Sequence, residues 1–204
     1  MSKLINVFDT ETTGLPDWKS PSESEHQPHL IEIAAILHNE QGAVLDSYKA
    51  IVRPDGWTIS EEISRIHGIT HEMAMDVGIS EAEALEGFLA IHARASIRVA
   101  HNATFDDRII RIAMARYHSK DLADSFKTTT QKVCTCYETR GKVGLASNKL
   151  PTLGEAYRFY TGEELEEAHR AMADAQACAR IYFALQGVTM SGVQAPAAAA
   201  AVEA

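Results

Sequence analysis

Two carboxylates stand at the end of what reads as a fully buried strand. Residues 4–9, LINVFD, form a short, nearly continuous apolar run, the pattern of a central strand covered on both faces. Asp9-Thr10-Glu11 closes it. Alternate residues of a strand share a face, so Asp9 and Glu11 project side by side from the end of a core element. Desolvating charge is expensive. A fold that begins this way must cover the strand on both sides and give its two anions a partner. The competing reading ends the strand sooner and leaves both side chains solvated in a loop. For an isolated Asp-x-Glu that reading is the commoner one.

The remaining pattern is that of one layered α/β domain. Residues 12–29 are polar and carry Pro16, Pro21 and Pro28, which predicts a long surface loop. Residues 30–38 and 44–52 flank Asn39-Glu-Gln-Gly42 and read as a β-hairpin. Short helices are predicted over 60–66 and 70–75. Ser80 and Glu83 form a capping box that opens a helix to about residue 95. Leu85, Phe88, Leu89 and Ile91 supply much of its apolar face. A strand over 97–100 and a helix over 105–118 follow, then a poorly patterned stretch, 120–150, with a weak strand near 131–135. Helices are predicted over 153–160 and 171–186. This order gives one mixed sheet with helices on both faces. Residues 1–190 form the domain. Residues 191–204, SGVQAPAAAAAVEA, read as a disordered Ala-rich tail.

Composition narrows the function classes. Nothing approaches the apolar length needed to span a bilayer, and MSKLINVF lacks the form of a secretory signal. Three cysteines cannot all pair within the chain, which fits a reducing, cytoplasmic setting. Cys134 and Cys136 make a poor zinc pattern and read as small buried hydrophobes. The net charge of −9 argues against broad polyanion binding. Its distribution is uneven, however. Residues 94–149 hold 11 of the 19 Lys and Arg and 5 of the 28 Asp and Glu. A basic middle in an acidic frame admits a polyanion at one face, with Arg108 and Arg111 as candidate strand guides. Solvated basic helix faces explain the same charge count.

Two further segments carry carboxylates to the ends of predicted core elements. In His101-Asn-Ala-Thr-Phe-Asp106, the Asp falls in the first turn of a helix, where an acid also simply complements the helix dipole. In His169-Arg-Ala-Met-Ala-Asp174, a five-residue separation points the two side chains apart if both are helical. They converge only if His169 lies in the turn leading into the helix. Four gathered carboxylates need compensation, since two unit charges in contact repel by roughly 4 kcal/mol at an effective dielectric near 20. A hard, all-oxygen donor set favours Mg²⁺ or Mn²⁺ over zinc. A pair of such ions serves phosphodiester hydrolysis, and a neutral His beside them can take a proton from water.

Three segments, VFDTETTGL (7–15), HNATFDDRII (101–110) and AHRAMADAQA (168–177), resemble the three motifs of the DEDDh, or DnaQ-like, 3′→5′ exonuclease family, which includes the proofreading epsilon subunit of bacterial DNA polymerase III. ISRIHGIT (63–70) and the run 149–175 extend the resemblance to roughly residues 4–187. It implies a ribonuclease H-like fold: a five-stranded mixed sheet, second strand antiparallel, flanked by helices. It implies that Asp9, Glu11, Asp106 and Asp174 bind two divalent cations, Mg²⁺ or Mn²⁺, and that His169 is the general base. It also implies that Thr12 and Leu15 hold the 3′-terminal nucleotide, with His67 and Phe105 near that pocket. Phe105 fits a core position equally well. One departure stands near residue 134, where Cys134-Thr135 replaces the family's more usual Asp-Thr pair.

The expected function is a metal-dependent 3′→5′ exonuclease that releases nucleoside monophosphates from DNA 3′ ends in proofreading or repair. Its expected partners are those ends and a DNA polymerase or another replication or repair protein, with no membrane. Two alternatives stand beside it. One is an exoribonuclease trimming RNA 3′ ends. The other is an inactive nuclease-fold module that docks a polymerase or helicase, which the five filled catalytic-type positions oppose.

Overall fold

A computed structural model describes residues 3–145, 148–166 and 168–190; the predicted tail, 191–204, lies outside the described residues. Strands β1 (Ile5–Thr12), β2 (Leu30–His38) and β3 (Val44–Ile51) precede helices α1 (Glu61–His67), α2 (His71–Val77) and α3 (Glu81–His92). Then come β4 (Ile97–Ala100), α4 (Ala103–Tyr117), α5 (Lys120–Thr129), β5 (Gln131–Cys134), α6 (Thr135–Glu138), α7 (Leu153–Thr161) and α8 (Ala171–Leu185). The five strands form one sheet in the order β3-β2-β1-β4-β5. β2 runs antiparallel to both its neighbours, while β1, β4 and β5 are parallel. This is the mixed, ribonuclease H-like sheet that the motifs imply.

Strand parity sorts the core into two layers. On one face Phe8, Ile33, Ala35 and Leu37 pack with Leu85 and Phe88 of α3 and with Ile109, Ile110 and Ile112 of α4. On the other, Ile5, Val7, Ile97 and Val99 meet Cys178, Ala179, Tyr182 and Phe183 of α8. Ala34 and Ile36 meet Ala171 and Ala175 of the same helix. Asp9 and Glu11 share the parity of Ile5 and Val7. They therefore extend the α8 face of β1 toward the end where α8 begins.

The structure corrects two expectations. Residues 120–129 form a helix, α5, within the stretch that sequence pattern leaves unread. The basic middle segment is largely spent on the fold. Arg108 donates to Ser22 Oγ at 2.9 Å and to the backbone carbonyls of Asp17 and Ser20, fixing the 13–29 loop on α4. Arg111 donates to the Ala123 carbonyl at 3.1 Å and to Asp124 at 3.3 Å. Arg98 is buried and pairs with Asp107 through two bonds of 2.9 and 3.1 Å. Arg108 and Arg111 are thus fold-building groups, and the local positive charge is answered from within the protein.

Candidate active site

β1 continues three residues beyond Asp9, so Asp9 and Glu11 are both held in the ladder, opposite Ala34 and Glu32 of β2. Each is partly buried. The solvated-loop reading of this pair does not apply. Asp106 lies in the first turn of α4 and is 2% exposed. Its Oδ1 accepts from the Thr10 amide at 3.1 Å and from Thr10 Oγ1 at 2.8 Å. Thr10 points to the face opposite Asp9 and Glu11, so one strand reaches the carboxylates on both sides of it. Asp174 sits in the first turn of α8. Its Oδ2 accepts from the His169 amide at 3.1 Å, and its Oδ1 is buried without a hydrogen-bond partner.

His169 lies two residues ahead of α8, in the turn that the sequence spacing demands. Its φ is +66°, and Asn102, which turns the chain from β4 into α4, has φ +67°. They are the only non-glycine residues at positive φ among those described. Such backbone is uncommon for non-glycine residues, Asn, Asp and His being those that adopt it most readily. Both instances occur where a helix delivers a carboxylate to the end of the sheet.

The electrostatics record the crowding. Burial, followed by repulsion from Asp106, Asp174, Glu11 and Glu32, raises the Asp9 carboxyl well above its ordinary value. Burial, then Asp174, Glu32 and Asp106, pushes Glu11 up to about 8, although Arg170 opposes the shift. Burial raises Asp106 to about 7 against the hydrogen bonds from Thr10. Burial also raises Asp174, against the His169 amide and the His169 side chain. Opposed anions of this kind fit a cation, as does the orphaned Asp174 Oδ1. Donor atoms of Glu11, His169 and Asp174 lie within 4.8 Å of one another. The donor trio gathered among the described residues therefore includes His169, which the sequence reading assigns as base alone. Asp9 and Asp106 stand outside that trio and join it through their mutual repulsion.

The residues expected near a terminal nucleotide are dispersed by burial. Leu15 is 83% exposed, four positions beyond Glu11. Thr12 is buried, and its hydroxyl donates to the Gly14 carbonyl at 2.8 Å. His67 is buried; its Nδ1 accepts from the Ile69 amide at 3.0 Å and its Nε2 has no partner. Its lowered pKa comes from burial, with weaker influences from Glu32, Arg170 and His169 that place it beside the cluster. Phe105 is half-buried and packs against the main core. Thr135, at the departure from the family pattern, is fully buried and bonds His101 Nδ1 at 2.9 Å. The other His101 nitrogen meets the Pro151 carbonyl at 3.0 Å. That pair ties the α4 entry to the sheet edge.

Sequence reasoning missed Glu32 and Arg170. Glu32 is 2% exposed, inside a β2 whose nine residues are all buried. Arg170 grips it with bonds of 2.9 and 3.2 Å, and the Ala171 amide donates to it at 2.9 Å. The signal was present: one charge in LIEIAAILH must have a partner, because an unpaired buried charge is not tolerated.

A pH prediction follows from the sign of these shifts. Between the ordinary carboxylate range and the raised values, about 7 for Asp106 and about 8 for Glu11, the folded metal-free protein keeps protons that the unfolded chain has lost. Stability then falls as pH rises through that window, by on the order of a few kcal/mol. In chelator, melting should be markedly lower at pH 8 than at pH 5, and Glu11→Gln should flatten the slope. Millimolar Mg²⁺ should restore stability at pH 8. A slope unchanged by Glu11→Gln and by Mg²⁺ would contradict the reading.

Comparison with known proteins gives the family. The exonuclease family model RNase_T matches residues 7–182. DNA polymerase III PolC-type of Caldanaerobacter subterraneus subsp. tengcongensis is 32% identical over 178 residues, covering 87% of this chain and 11% of that protein. The zinc-bound E. coli exonuclease I complex with single-stranded DNA superposes with TM-score 0.68 at 22% identity. The complex of the same enzyme with a dT13 oligonucleotide gives 0.67 at 22% identity. Each covers 90% of this chain and 40% of that one. The chain thus spans about a tenth of the length of the polymerase it matches. With its three motifs brought to one end of a ribonuclease H-like sheet, the chain belongs to the RNase_T exonuclease family, in its DnaQ-like group.

Proposed function

We propose that this protein is a metal-dependent 3′→5′ exonuclease that releases nucleoside monophosphates from DNA 3′ ends. The observation that carries the proposal is the convergence of Asp9, Glu11, Asp106 and Asp174, with raised carboxyl pKa values, beside a His169 held at positive φ. Such a set is strained without cations. Asp9, Glu11, Asp106 and Asp174 would hold two divalent ions, Mg²⁺ or Mn²⁺. Bound there, the ions activate water and offset charge on the attacking and leaving oxygens. His169 accepts the proton of the attacking water. Its amide bond to Asp174 orients the turn for that task. Thr10 keeps the Asp106 carboxylate facing the cluster. The exposed Leu15 side chain packs against the terminal base, with Thr12 shaping the backbone beside it. His67 and Phe105 would lie near the pocket for that base.

DNA is favoured as substrate because the matched relative is a DNA polymerase and the structural neighbours hold single-stranded DNA. The same relative supports action alongside a DNA polymerase or another replication or repair protein, in proofreading or repair. Residues 1–190 are the catalytic domain in this reading, and the setting is cytoplasmic. The test uses matched DNA and RNA single strands labelled at either end, with Mg²⁺, Mn²⁺ or chelator. The 3′-labelled DNA should yield labelled mononucleotide at once, and 5′-labelled DNA a descending ladder, both only with metal. Faster release from RNA would transfer the reading to an exoribonuclease. Internal cuts or 5′ mononucleotide release would overturn the polarity.

A further inference from the structure

Glu32 is a buried carboxylate near the start of β2, next to an acidic cluster, yet nothing in the chemistry above uses it. Its surroundings suggest a mechanical task. β2 is the antiparallel neighbour of β1, and Glu32 stands directly across from Glu11 in the register. From that position its two oxygens receive both arms of the Arg170 guanidinium, at 2.9 and 3.2 Å. Oε2 also accepts from the Ala171 amide at 2.9 Å. α8 has no side-chain cap of its own, because Arg170 occupies the cap position. Glu32 therefore supplies the cap from a different element and places a negative charge at the helix N-terminus, where the dipole favours it. Arg170 is the residue after His169, whose left-handed backbone, φ +66°, is uncommon outside glycine. A bidentate Arg–carboxylate contact fixes orientation as well as distance. Two successive residues after His169 are thus fastened to the same buried carboxylate.

We propose that Glu32 and Arg170 are positioning residues that clamp the His169 turn against the sheet. The clamp holds the imidazole within reach of Glu11 and Asp174. The inference rests on the exonuclease reading for its kinetic consequence, although the clamp itself is a statement about backbone order.

The experiment compares the full chain with Glu32→Gln and with Arg170→Lys, which keeps a charge opposite Glu32 but loses the planar fork. Two readouts are taken. The first is hydrogen exchange at the His169 amide, which the Asp174 bond protects in the native protein. Exchange should speed up about tenfold or more in both variants, as expected for an opened turn. The Thr10 amide, bonded to Asp106 away from the clamp, should be unaffected. The second is single-strand cleavage. In Glu32→Gln, kcat should fall by roughly 10- to 100-fold with little change in KM, the scale of a catalytic group displaced by about an ångström. In a His169→Ala background the same substitution should cost less than about twofold, because residues that act through one another are not additive. Unchanged His169 exchange would overturn the clamp. Equal losses with and without His169 would assign the pair a general structural role instead. If the native protein cleaves nothing, the exonuclease reading fails, while the exchange measurement still decides the clamp.

Discussion

Replacing Asp9 by Asn is expected to abolish cleavage while making the metal-free protein more stable. The two effects share one cause. Burial, then repulsion from Asp106, Asp174, Glu11 and Glu32, raises the Asp9 carboxyl well above its ordinary value. Its charge is therefore costly in the absence of a cation. A neutral isostere removes that cost and the burial penalty together. It also removes one of the four carboxylates proposed to hold the cations. Ion-based stabilisation of the reacting oxygens is worth several kcal/mol, so its loss should lower the single-turnover rate by roughly 10³-fold or more. The check is paired: thermal melting in chelator, and single-turnover release from a 3′-labelled strand with Mn²⁺. A variant that melts higher in chelator and does not cleave fits the account. Cleavage within tenfold of the native rate would remove Asp9 from the site.

His169→Ala should lower the chemical rate by roughly 10²–10⁴-fold, the usual worth of a positioned acid–base group. The turn that carries it should persist, because its amide bond to Asp174 and the Glu32–Arg170 contact do not depend on the imidazole. The same variant separates two roles that the geometry leaves adjacent. Donor atoms of Glu11, His169 and Asp174 lie within 4.8 Å of one another. As a base, His169 can be lost with Mn²⁺ affinity nearly unchanged. As a ligand, its loss should weaken Mn²⁺ together with the rate. Near-native turnover in this variant would leave the four carboxylates without an assigned base.

The legible parts of this fold are those where local chemistry and tertiary packing agree. The β2 strand and the 97–100 strand are predominantly apolar runs, each with one charged residue, and both occur with the expected boundaries. Ser80 and Glu83 form the full capping box at the start of α3. The α5 helix was illegible for a physical reason. It is ten residues long and mostly polar, with only Ala123 and Phe126 buried, so its apolar stripe is short, and its start rests on Ser119 accepting from the Leu122 amide. The carboxylates were legible one by one as weak features. Their gathering at one site is implied by the resemblance of the three motifs to the exonuclease family, and strand parity and the turn at His169 agree with it. Glu32 escaped because its partner, Arg170, is distant in sequence, and because β2 is otherwise uniformly apolar. The opposite error concerned Arg108 and Arg111. A local charge excess carries no information about whether it faces solvent, a ligand or the protein's own carbonyls. Here the carbonyls of the 13–29 loop and of α5 take it up.

The claim on which everything else depends is that these carboxylates form one cation site whose charge is held back by protons until metal arrives. Calorimetric titration with Mn²⁺ at pH 7, repeated in buffers of different ionisation enthalpy, measures it directly. Glu11 is raised to about 8 and Asp106 to about 7, so metal binding must displace protons, as deprotonation of ligands requires. The account expects saturable binding, an apparent heat that varies with the buffer, and proton release that shrinks in Glu11→Gln and at pH above 8. Absence of binding at millimolar Mn²⁺, or binding whose heat is the same in every buffer, would contradict it.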